Sequence, residues 1–146
     1  MNRTPAEVLT AHFASLLLCT RPEDDADGLW PATVDFLPDD PDNALSLYNT
    51  SGNLDGRIQS SGEVIQHPGI QIRVRALDSA EGYLKIKELA LAMNAVKRAL
   101  VAFDDEFYTI HAIKQTSDIF SIGKEPDGNR FWFSVNGTIT ISWVAL

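Results

Sequence analysis

Residues 70–103 read IQIRVRALDSAEGYLKIKELALAMNAVKRALVAF, and this stretch decides the fold class. Its first seven residues, 70–76, alternate apolar side chains with polar or charged ones, which predicts a β-strand with one face on a core. From residue 79 to residue 103 the apolar side chains instead recur at intervals of three and four, which predicts a long amphipathic helix. A strand followed at once by such a helix is typical of a sheet that has helices packed on one face.

The apolar surface of this predicted helix is wider than a single stripe. The main stripe consists of residues spaced by three and four: Ile86, Leu89, Met93, Val96 and Leu100. Further apolar residues widen it: Leu84, Leu91, Ala92, Ala95 and Ala99. We expect a helix of this kind to contact two surfaces, its own sheet and a neighbouring molecule.

The segments on either side supply the remaining predicted elements. Residues 1–20 predict an N-terminal helix, because Thr4, Pro5 and Glu7 combine a cap residue, a first-turn proline and a capping box. One strand is predicted at residues 44–50. Three more strands are predicted after the long helix, at residues 107–113, 119–123 and 130–142, the last two joined by a turn that contains proline and glycine.

This order predicts an α+β fold. We expect a single domain over residues 1–146, with a mixed, mostly antiparallel sheet of about four to five strands. One N-terminal helix and one long central helix pack on that sheet. Residues 51–66 show neither the helical nor the strand periodicity and contain three glycines, so they are expected to form a long mobile loop.

The charge of the chain is acidic and uneven. Twelve Lys and Arg residues stand against twenty Asp and Glu residues among 146, a formal net charge of −8. This balance disfavours a nucleic-acid binder, which needs a cationic surface. Residues 23–42 contain eight acids and no base, which is typical of a solvated loop. The single cysteine, Cys19, excludes an intrachain disulfide.

Motifs that carry chemistry are not found in the sequence. It has no phosphate-binding loop, no dinucleotide glycine pattern and no nucleophile elbow. The densest carboxylate group, Asp39, Asp40 and Asp42, lacks the spacing of a calcium loop. We therefore predict no catalytic residue, no cofactor and no metal site. An enzyme that uses these three acids with a metal is the weakest alternative.

Candidate interface residues come from the outward positions of the predicted strands and from the loop. Arg73 and Arg75 lie on the polar side of the 70–76 strand, and Trp132 lies on the outward side of the last strand. An outward tryptophan on a strand is typical of a protein interface. Asn53 and Arg57 of the 51–66 loop complete this predicted set.

Four stretches of the chain resemble a known family. They are residues 43–52 (NALSLYNTSG), residues 67–75 (HPGIQIRVR), the long alanine-rich helix, and residues 128–136 (GNRFWFSVN). Together they resemble the tailed-bacteriophage minor capsid proteins that are grouped with tail terminators. The resemblance spans roughly residues 44–142.

The resemblance implies a structural protein of the virion that is not an enzyme. Such proteins assemble in the host cytoplasm into a ring, usually a hexamer, on the head-proximal end of the tail tube. The ring stops tube polymerisation and joins the tail to the head. Its implied partners are further copies of the chain, the tail tube protein and a head-completion or connector protein. DNA passes through without specific binding, and no membrane is involved.

Two interpretations of the acidic segment stay open at this point. In a ring, Asp24, Asp25 and Asp27 are candidate acids for the lumen or its rim, where they would repel passing DNA. Alternatively, they keep an acidic protein soluble. The alternative function is an acidic intracellular binding module, a regulator or inhibitor whose acidic loop contacts a basic partner.

Overall fold

The computed structural model describes residues 1–24, 26–57 and 64–145; within residues 53–57 and at residue 64 it describes the backbone alone. The elements run in the order α1 (Pro5–Ser15), β1 (Ala32–Val34), β2 (Ala44–Arg57), β3 (Val64–Ala76), α2 (Ser79–Asn94), β4 (Lys97–Ala102), β5 (Glu106–Gln115), β6 (Phe120–Lys124) and β7 (Phe131–Ala145). The α+β prediction is confirmed. No described helix is both long enough and apolar enough to cross a membrane.

The sheet contains seven strands in the described residues, so the expected four to five was too few. Its order is β1-β2-β3-β7-β5-β4, and β6 also pairs with β7. Strand β1 runs parallel to β2, and every other pair is antiparallel. Strand β7 is central: β3 lies along one edge, while β6 and β5 share the other edge end to end.

Helix α1 begins as the sequence predicts. The Thr4 side chain accepts a hydrogen bond from the Glu7 amide, and the Glu7 side chain accepts one from the Thr4 amide, which completes the capping box. The helix ends at Ser15, five residues before the predicted end near residue 20. The chain then turns at Leu17, which has a φ of 60° and a side chain 71% exposed.

Leu17 stands where a glycine would be more stable. The second residue past the end of this helix takes a left-handed conformation, which is unfavourable for any residue that has a Cβ. We expect Leu17→Gly to raise the free energy of unfolding by about 1 kcal/mol, measured by chemical denaturation. The control is Leu16→Gly, because Leu16 has a φ of −89° and gains nothing from glycine. A Leu17→Gly chain no more stable than the wild type would contradict this account.

Buried polar groups attach the start of the chain to β5. The Asn2 amide donates to Glu106 Oε2 at 2.7 Å, and the Arg3 amide donates to the Tyr108 hydroxyl at 3.0 Å. The Tyr108 hydroxyl in turn donates to Glu106 Oε2. Burial, with this hydrogen bond as a smaller cause in the same direction, raises the pKa of Tyr108 to about 12. These contacts fix the position of α1 against the sheet.

The predicted long helix is in fact a helix followed by a strand. Helix α2 ends at Asn94, and residues 97–102 form β4, which pairs with β5 from Lys97–Ala112 to Ala102–Phe107. No glycine or proline marks the break. Arg98, the second residue of β4, has a left-handed conformation with a φ of 72°. The prediction of a helix to residue 103 was therefore wrong from residue 95 onward.

The predicted loop at residues 51–66 is largely part of the sheet. Residues 51–57 continue β2 and residues 64–66 belong to β3, with irregular register between Thr50 and Asn53 and again between Leu54 and Arg57. Residues 58–63 lie outside the described residues. The loop prediction was wrong for the two stretches in strands, and the predicted mobility stays a prediction.

Both helices pack on the same face of the sheet, and the hydrophobic core lies between that face and the two helices. Ile72 and Leu89 are fully buried there, as their spacing predicts. The far end of α2 approaches β7 closely at Gly137, where a Cβ would lie 3.0 Å from Met93 Sδ and 3.2 Å from the Lys114 carbonyl oxygen. The opposite sheet face, which we call the open face, carries the side chains of Arg73, Arg75 and Trp132.

Candidate functional site

Arg73 lies in a row of polar side chains across the open face. Its Nε donates to Gln71 Oε1 at 2.9 Å, and its guanidinium lies 5.2 Å from the centre of the Tyr48 ring. Gln71 Nε2 donates to Asn136 Oδ1 on β7 at 2.9 Å. The row therefore crosses three neighbouring strands with Arg73 half-buried within it. Its role in an interface stays a prediction.

Arg75 does not lie on a free surface, and its assignment as an interface residue was wrong. Only 1% of the residue is exposed. Its Nε donates to the Asp42 carbonyl at 3.1 Å, and its Nη2 donates to the carbonyls of Asp39 and Pro41. The segment around residues 39–42 covers this end of the open face. Arg75 therefore anchors that segment to β3.

Trp132 is also tied to this anchoring cluster rather than pointing freely outward. Its Nε1 donates to Glu125 Oε1 at 2.8 Å, and the Arg75 guanidinium lies 5.7 Å from its ring. Arg130 binds the other oxygen of Glu125 at 3.0 Å and Asp39 Oδ1 at 2.7 Å. The hydrogen bonds from Arg130 and Trp132 hold the pKa of Glu125 below its usual range. The cluster joins the β6–β7 turn to the acidic segment.

The three candidate lumen acids differ in what the structure shows of them. Asp24 forms a two-pronged ion pair with Arg21, with both N–O distances 2.8 Å, and this pair lowers the pKa of Asp24. Its charge is therefore partly neutralised by a base just outside the acidic run. Asp27 is exposed, and Asp25 lies outside the described residues. The expectation that these acids line a DNA passage stays a prediction.

Asn53 and Arg57 belong to the far part of β2, where the structure describes the backbone alone. The Asn53 backbone pairs with His67 of β3, and Arg57 pairs with Val64. Both positions thus lie on a paired strand rather than in a loop. Their proposed contact role stays a prediction.

The outer surface of the helical layer carries large exposed apolar side chains. Leu84 and Leu91, seven residues apart on one face of α2, are 64% and 62% exposed. Leu16 and Leu17, at the end of α1, are 49% and 71% exposed. We call these four residues the outer patch. The excess apolar width of the predicted helix indicated Leu84 and Leu91 in the sequence. No sequence signal indicated the exposed turn at Leu17.

The outer side of β1 is bridged in part by Thr20, whereas two other strand edges of the described sheet, those of β4 and β6, are open. Strand β4 is last in the strand order, and the far edge of β6 has no partner strand among residues 1–24, 26–57 and 64–145. A groove of about 490 Å³ lies between β4 and α1, lined by His12 and Ser15 on one side and by Val101 and Phe103 on the other. Unpaired strand edges readily pair with another chain.

Chemically reactive groups are few in the part of the chain that the structure describes. Cys19 is 1% exposed, and burial raises the pKa of its thiol to about 11, which makes it a poor nucleophile. The described residues contain no group of three or more His, Cys, Asp or Glu side chains that could hold a metal ion. What they offer is contact surface: the outer patch, the open face and the two open edges.

The sequence matches one family model, described as bacteriophage tail terminator protein, over residues 15–143. The match covers β1 to β6, α2 and nearly all of β7. No curated protein matches the sequence.

Proposed function

Because the chain belongs to the family of bacteriophage tail terminator proteins, we propose that it forms a ring on the head-proximal end of the tail tube. The ring stops tube polymerisation and provides the surface to which the head is joined. Family membership already implies a structural component of the virion tail. The position, the ring and the stopping role are what the proposal adds.

The observation that supports a ring best is the outer patch. Four leucines, about half to three-quarters exposed, are an unfavourable surface for a chain that stays monomeric. A ring needs two different patches on each subunit, one meeting the other on the neighbour. The outer patch and the open face lie on opposite sides of the sheet, so each subunit offers two distinct surfaces. A hexamer is the ring size that we propose.

The proposed partners follow from the position. One end of the ring contacts the tail tube protein and the other contacts a connector or head-completion protein, while DNA passes through the bore. The formal net charge of −8 disfavours retention of DNA on the ring. The acids at positions 24, 25 and 27 are proposed for the rim of that bore.

Tail length tests the proposed function directly. In a phage that lacks this gene, we expect tubes of uncontrolled length without attached heads, seen by electron microscopy of lysates. Supplying the wild-type chain in trans restores tails of uniform length. Tails of normal length joined to heads in the absence of the gene would overturn the proposal.

A further inference from the structure

The two open strand edges match each other in length and in exposed surface. Strand β4 has six residues and β6 has five. Leu100 of β4 is 57% exposed and adjoins Val101, which points into the core, so Leu100 points away from the helices. Phe120 of β6 is 40% exposed and adjoins Ser121, which pairs with the buried Phe133, so Phe120 also points away from the helices.

The charges at the ends of the two strands are complementary in one orientation. Lys97 begins β4 and Asp104 follows its end; Asp118 precedes β6 and Lys124 ends it. All four side chains are exposed, and none forms an ion pair with a described residue. A parallel arrangement places each lysine beside an aspartate. An antiparallel arrangement would place the lysines together and the aspartates together.

We propose that β4 of one copy pairs in parallel with β6 of the next copy, and that this pairing joins the subunits of the ring. The inference rests on the proposed function, since it names the contact that builds the ring. Lys97 then faces Asp118 of the neighbour, and Asp104 faces Lys124. Because every copy carries both edges, the contact repeats head to tail. If the rotation from one copy to the next brings the last copy back to the first, the copies form a closed ring.

The pairing also removes two liabilities of the free subunit. It satisfies backbone groups along both open edges, which in a monomer depend on water alone. It brings Leu100 beside Phe120 and Ile122, of which the last is 50% exposed.

Charge reversal tests the orientation. We expect Lys124→Glu to raise the dissociation constant of the ring contact roughly tenfold or more, because it then faces Asp104. Adding Asp104→Lys in the same chain restores the contact, since each interface again joins opposite charges. Lys87→Glu makes the same charge change on α2, away from both strand edges, and is the matched control: any loss that it causes is not restored by Asp104→Lys. The readouts are native mass spectrometry of the pure chain and ring occupancy on isolated tails.

Disulfide trapping tests the pairing itself. A chain with both Ala102→Cys and Ile122→Cys is expected to give, on oxidation of assembled rings, a covalent ladder that ends at the ring size. Either single variant gives no ladder. Ala102→Cys combined with Leu84→Cys is the control and also gives none. Native Cys19 does not interfere, because it is buried and its pKa is raised to about 11.

The outcomes separate the inference from the proposed function. Wild-type rings that survive Lys124→Glu and give no ladder would overturn the strand pairing and leave the ring intact. A wild-type chain that forms no ring, alone or on isolated tails, would overturn the proposed function and the pairing with it. Loss with Lys124→Glu, restoration with the second change, and a ladder together support the pairing.

Discussion

Leu89→Asp is expected to abolish folding, whereas Leu91→Asp leaves a folded chain that fails to complete tails. The two leucines lie two residues apart on α2, but Leu89 is fully buried and Leu91 is 62% exposed. An unpaired carboxylate at position 89 costs several kcal/mol, a large part of the roughly 5–15 kcal/mol that stabilises a domain. At position 91 the charge stays in water and disrupts the outer patch alone.

Thermal melting followed by circular dichroism, together with complementation of a phage that lacks the gene, measures both effects. Ile72→Asp, also at a fully buried position, is expected to behave like Leu89→Asp. A cooperative melt from either buried variant would contradict the core described above. Normal tails with Leu91→Asp would show that this part of the outer patch is not a contact surface.

Arg75→Met is expected to lower the free energy of unfolding by about 3–5 kcal/mol. The methionine retains most of the volume but removes the donors to the carbonyls of residues 39, 41 and 42. Arg73→Met is the matched control on the same strand and face. Its guanidinium bonds one side chain, Gln71, and the expected loss is under about 1 kcal/mol.

Urea denaturation of both variants, compared through their midpoints, checks this difference. Equal small losses would show that Arg75 is a surface residue, as the alternation in the sequence suggested. A large loss of stability for Arg75→Met alone would show that Arg75 stabilises the folded chain. Crystallography or hydrogen exchange of the variant should then show the segment at residues 39–42 released from the sheet.

Local sequence signals predicted the parts of the fold that local forces determine. The start of α1 follows from Thr4 and Glu7, which satisfy each other within one turn. The core face of β3 follows from strict alternation, and both Ile72 and Val74 are fully buried. The turn before β7 follows from its proline and glycine. In each case the partners lie within a few residues of one another.

The missed elements depend on distant partners. Val96, just before β4, and Leu100 within it are spaced as in a helix, but the backbone groups of β4 pair with β5. Within β4, Arg98 adopts a left-handed conformation that no glycine marks in the sequence. Strand β1 has three residues and pairs with β2, which follows ten residues later in the chain. Tertiary pairing outweighed local propensity at each of these places.

The candidate surface was predicted only in part, for a related reason. Alternation along β3 and β7 correctly placed Arg75 and Trp132 on the face away from the helices. The alternation carried no information on which segment covers that face. The acidic segment around residues 39–42 covers it at one end. The width of the apolar helix was the better guide, because a side chain in excess of what the core needs must remain exposed, as Leu84 and Leu91 do.

The central place of β7 has a consequence for the timing of synthesis. Every other strand of the sheet except β1, β2 and β4 pairs with β7 directly, yet β7 follows all of them in the chain. While the ribosome is still making it, β3 and β5 each lack one of their two partner strands, and the core stays open. The subunit therefore matures only after translation has passed residue 145, and long-range pairing of this kind is slow.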